Sequence, residues 1–168
     1  YPSKMTLTVK MFDVIEWPTG SFGRLLRWAR ERGLRAVLVV RDPELITDYS
    51  VLNGIARDST RIASPEWPGT RLLRGTATVW AFDLTAPVLS VFESVRDPLW
   101  FREPRPEDFG RLRQDGAVFM ATIAHEDLSY FLCDDEEHLV LQDIGIGLRD
   151  QGRVAEGRRV IAALIADT

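Results

Sequence analysis

The sequence predicts an α+β (mixed α/β) fold: a single domain with one mixed sheet of about six strands and helices packed on it. The expected element order is β-α-β-α-β-α-β-β-β-α. Three observations carry this expectation. Apolar residues alternate or run continuously at 6–13, 35–40 and 75–83, as strands require. Stretches with helical spacing separate these runs. After residue 116 the pattern changes to short apolar segments joined by polar turns, the mark of an antiparallel meander.

Taken in order, Leu7, Val9 and Met11 alternate with Thr8, Lys10 and Phe12, which makes 6–13 a strand. Ser21 is placed to cap a helix whose Phe22, Leu25, Leu26 and Ala29 share one face, and Gly33 to end it. The unbroken apolar run at 35–40 suits a strand covered on both faces. Asp42-Pro43 starts a second helix, with Leu45, Tyr49, Leu52 and Ala56 at helical spacing. Prolines and a glycine make 64–70 a loop, and 75–83 is the third strand. Thr85 caps a short helix reaching Val95, and 97–116 reads as irregular chain. Three short strands follow at 117–124, 129–133 and 138–143. A closing helix is expected over 153–167, carried by Val154, Val160, Ile161, Leu164 and Ile165.

A chain of 168 residues, 45% of them hydrophobic, can bury one core, so 5–168 reads as a single domain. Met5 is the natural start in this reading, and residues 1–4 are an expression remnant. No run approaches the roughly 18 apolar residues of a membrane span, and the alternating first residues do not form a secretory block. The single cysteine, Cys133, cannot close an internal disulfide, which points to a reducing cytoplasm. The net charge of −4 divides unevenly: residues 1–75 carry 12 basic and 8 acidic side chains, residues 76–168 carry 9 and 17. An acidic whole argues against a general nucleic-acid binder and leaves room for a basic protein partner.

His125-Glu126-Asp127 is the candidate acid–base group, with His125 as the base and a neighbouring carboxylate orienting it. A zinc-protease motif would need a second histidine at position 129, which is Ser. On a strand, His125 and Glu126 would point to opposite faces, while His125 and Asp127 would share one. The competing reading makes His125 the end of a strand, bonded to main-chain groups. A metal site drawing on His125, His138 and nearby acids matches no ligand spacing, so neither metal nor cofactor is implied. Gly145, Gly147 and Gly152 lack the spacing of a dinucleotide loop and read as a turn.

Asp134, Asp135, Glu136 and Glu137 gather four acids in what reads as a hairpin turn, either solvated or presented to a cationic partner. Trp67 and Trp100 lie beside loop prolines and would anchor such a partner if exposed. Arg24, Arg27, Arg30, Arg32 and Arg35 read as the wet side of the first helix, with contact to an anionic partner as the alternative.

The stretch EDFGRLRQDGAVFMATIAHEDLSYF (107–131) resembles a segment of uncharacterised bacterial proteins of small α/β or α+β build. It covers about a sixth of the chain, and no catalytic role attaches to it. Some proteins of this size and acidity accompany bacterial toxins as immunity partners. The resemblance therefore implies a non-catalytic, immunity-like interaction protein using its acidic surface. The alternative from the residues is a small-molecule enzyme working through His125.

Overall fold

The computed structural model describes residues 9–154. Its centre is one eight-stranded sheet in which every neighbouring pair runs antiparallel. In chain order the strands are β1 (Val9–Glu16), β2 (Arg35–Val40), β3 (Ser59–Ser64), β6 (Ala77–Phe82), β7 (Glu107–Leu112), β8 (Val118–Ile123), β9 (Leu128–Cys133) and β10 (Gly147–Val154). Across the sheet they lie in the order β10-β1-β9-β8-β7-β2-β6-β3. A separate two-stranded ribbon is formed by β4 (Glu66–Trp67) and β5 (Thr70–Arg71). The mixed α+β class stands; the mixed six-strand sheet does not.

Helices cover one face of the sheet: α1 (Ser21–Glu31), α2 (Ser50–Ile55), α3 (Ala86–Phe92) and α4 (Asp135–Ile144). Phe22, Leu25, Leu26 and Ala29 of α1 meet Phe92 of α3 and Leu141 of α4 in one core with Phe12, Leu38, Phe109 and Phe131 of the strands. The opposite face holds a smaller core of Val37, Val39, Val79, Ala81 and Ala121 around Trp67 of the ribbon. Hence β2 is apolar on both sides, as its sequence requires. The ribbon sits close: a Cβ on Gly110 would lie 3.0 Å from Pro68 and 3.1 Å from Val37. Only glycine fits there without displacing the proline ring.

Several elements differ from the sequence expectation for identifiable reasons. Residues 138–143 are helical, within α4, because Asp134 and Glu137 form a capping box at its start. Asp134 accepts from the Glu137 N–H at 2.8 Å, and Glu137 accepts from the Asp134 N–H at 3.0 Å. The supposed hairpin turn is thus a helix start. Within 97–116, β7 escapes a periodicity reading because two of its buried residues, Asp108 and Arg111, are charged. The 64–70 loop contains the ribbon, and β10 begins inside the expected glycine turn. The second helix is shorter than expected, a 3₁₀ turn at Pro43–Leu45 preceding α2. Ser21 is the first residue of α1 rather than its cap; Gly20 takes that place. Of the expected closing helix, 153–154 belong to β10, and 155–167 lie outside the described residues, as do residues 1–8.

Candidate binding groove

His125 lies in a 3₁₀ turn, Ala124–Glu126, between β8 and β9, and its side chain is 54% exposed. Its Nε2 is 3.7 Å from Glu126 Oε1, beyond hydrogen-bond reach. Asp127, in the left-handed region at φ 52°, ends the turn and pairs instead with Arg102 at 2.6 Å. The strand geometry that would align His125 with Asp127 therefore does not arise. Neither does the main-chain anchor: among the described residues the imidazole makes no hydrogen bond. His138 is remote in role, stacked on Phe12 at 4.1 Å. No group of three or more His, Cys, Asp or Glu among the described residues is arranged to hold a metal.

The acidic segment is in part taken up by intramolecular contacts. Asp134 and Glu137 close the capping box, and Glu137 also receives Arg113 at 2.6 Å. Asp135 faces Lys10 at 3.7 Å and Glu136 faces Arg32 at 3.8 Å, both pairs at the surface. The two tryptophans do not supplement this segment. Trp67 is 1% exposed beneath the ribbon, so it offers no contact surface in this fold. Trp100 is half-buried, with the Arg105 guanidinium 4.0 Å from its ring centre.

A different surface emerges between α1 and α3. Arg24, Arg27 and Arg30 of α1 and Arg96 beyond α3 wall a groove of about 570 Å³, with Leu26, Leu89 and Phe92 beneath. Three-residue spacing sets the α1 arginines in one inclined row, since side chains three apart are neighbours on the helix surface. Arg24 is anchored by donating to the Ile144 carbonyl at 2.8 Å, which ties α1 to the end of α4. Among the described residues, Arg27, Arg30 and Arg96 make no ion pair and no side-chain hydrogen bond. Among the described residues, Glu93 is the single acid in the lining.

Gly23 lines the same groove. Glycine weakens a helix by about 0.5–1 kcal/mol relative to alanine where nothing demands it. A Cβ there would meet only the flexible end of Arg27, at 3.6 Å. Packing thus does not require the glycine; its missing side chain keeps the groove deep.

No family model, curated protein or solved structure matches this chain. Its site has to be read from its own geometry. Sequence reasoning found the arginines of α1 but not Arg96 or the α3 floor, because only the tertiary fold sets α3 beside α1. The one local signal available was Gly23, a glycine inside an otherwise regular helix.

No helix among the described residues is long and apolar enough to cross a membrane.

Proposed function

We propose that the protein is a non-catalytic interaction module that recognises a negatively charged partner through the groove between α1 and α3. One contrast carries this reading. Asp134 and Glu137 are hydrogen-bonded within the chain, and Asp135 and Glu136 face Lys10 and Arg32 at the surface, whereas Arg27, Arg30 and Arg96 line a concavity without partners among the described residues. Arginines without partners among the described residues suit carboxylates, which they hold in two-pronged hydrogen bonds, and half-buried Leu89 adds apolar surface beside them. An immunity-like inhibitor is one concrete form of such a module, and the partner chemistry is then acidic rather than basic. The enzyme alternative finds less support, since His125 is exposed and has no carboxylate within hydrogen-bond distance.

The test is a pair of titrations at low ionic strength, with fluorescein-labelled polyglutamate and polylysine as probes. Despite its net charge of −4, the protein should bind polyglutamate, and Arg27→Glu with Arg30→Glu should remove that binding. Binding of polylysine alone would return recognition to the acidic surface and overturn the reading.

A further inference from the structure

We infer that the occupant of the groove is an acidic amphipathic helix of a partner protein, lying along α1. This rests on the reading of the groove as the recognition surface and adds the shape of what it recognises. A point anion such as phosphate asks for cations that converge on one spot. Here Arg24, Arg27 and Arg30 instead form a row. At 1.5 Å rise per residue the row extends about 9 Å along the helix axis. Carboxylates spaced three or four residues apart on a partner helix repeat every ~4.5–6 Å along its axis, the range that holds the ~4.5 Å step between successive arginines.

The floor completes the match. Gly23 and half-buried Leu89 line the same groove as the arginine row and Arg96, leaving a trough for apolar side chains beside positive charge, with Glu93 as the one acid among the described lining residues. An amphipathic helix presents that combination, with apolar anchors along one stripe and acids beside it. An extended polyanion would use the arginines and leave the trough empty. A single-chain carboxylate would fill the trough and use one arginine.

The experiment measures fluorescence anisotropy of a labelled synthetic peptide of about 16 Glu and Leu residues, its leucines confined to one helical face. A scrambled peptide of equal composition and decanoate serve as comparisons. The patterned peptide should bind about tenfold or more tighter than the scrambled one. Gly23→Leu, which fills the trough and is compatible with the helix, should weaken the patterned peptide alone by a similar factor. Arg27→Glu with Arg30→Glu should weaken both, and circular dichroism melts should show all variants folded. Equal affinity for patterned and scrambled peptides would overturn the helix while leaving an anion-binding groove. Decanoate binding that depends on Arg27 and Gly23, with no peptide binding, would assign the groove to a small amphiphile and overturn it as well. Failure of every probe would remove the recognition surface itself.

Discussion

Asp108 and Trp67 are joined across the second face of the sheet: the indole N–H donates to the buried carboxylate at 2.9 Å. The same oxygen accepts from Arg41 at 3.1 Å, and the other accepts from the Ala124 N–H at 2.9 Å. One carboxylate thus fastens the ribbon, the end of β2 and the turn after β8 to the start of β7. Its backbone stands at φ 54°, a conformation that aspartate and asparagine tolerate better than other side chains.

Asp108→Ala should cost about 3 kcal/mol, because it leaves two buried N–H donors, of Trp67 and Ala124, without their acceptor and removes a partner of the half-buried Arg41. Asp108→Asn retains the backbone preference and one acceptor oxygen, so it should cost clearly less. Urea midpoints for the two variants check the order. Equal losses would mean that packing, not the hydrogen bonds, holds the ribbon.

Beside it, Glu107 gives a pH signature. Burial of its carboxyl, reinforced by the Asp108 charge, raises its pKa above the ordinary 4.5, while Arg41 at 3.5 Å opposes the rise. A carboxyl that keeps its proton to higher pH when folded binds more protons in the native state than in the unfolded one. Stability from this group therefore falls as pH rises from the ordinary glutamate range upward. Urea unfolding across that window should show the wild type losing stability relative to Glu107→Gln. Parallel pH profiles would contradict the assignment.

The capping box makes a third prediction. Asp134→Ala should destabilise by about 1 kcal/mol, and Asp134→Ser should restore most of it. Thermal melts of the two variants decide this. No loss on alanine substitution would mean that α4 is held by Leu141 and Ile144 alone.

Cys133 is buried in β9, and burial, followed by the nearby Glu137 charge, pushes its thiol up to about 12. The thiolate is the reactive form, so the native protein should not react with a chromogenic disulfide reagent at pH 8. Addition of denaturant should release one thiol per chain. Rapid reaction without denaturant would contradict the burial.

How much of this could be read in the chain depended on whether a segment's burial followed its polarity. In α1 it did: Phe22, Leu25, Leu26 and Ala29 all lie in the core, and Gly33 at φ 66° lets Leu34 N–H reach the Ala29 carbonyl. The same holds for β2. Elsewhere polarity misled. Arg111 is fully buried in β7, donating to the Leu34 carbonyl at 2.7 Å while its Nε and Nη1 go without partners among the described residues. Burial pulls its guanidinium down to about 9. A charge in that position breaks any hydrophobic pattern. The edge strand β10 has only Leu148 and Val154 as large apolar residues, because an outermost strand need not be covered on both faces.

The candidate site was half legible for a related reason. Five arginines between 24 and 35 are visible in the chain, but only Arg24, Arg27 and Arg30 lie within α1, Arg32 following its end and Arg35 opening β2, and their meaning depends on what stands opposite. Arg32 and Arg35 prove to serve ion pairs with Glu136 and Asp83, while Arg27 and Arg30 border the groove. The acids at 134–137 looked more functional in sequence than in space, since a capping box and a cluster of surface acids share one composition.

Backbone amide chemical-shift mapping on the ¹⁵N-labelled protein, titrated with polyglutamate, tests the central claim most directly. Shifts confined to 19–30 and 86–96 are the predicted result, because those two segments line the groove. Shifts centred on 134–137 or on the 124–127 turn, with the groove unperturbed, would contradict it.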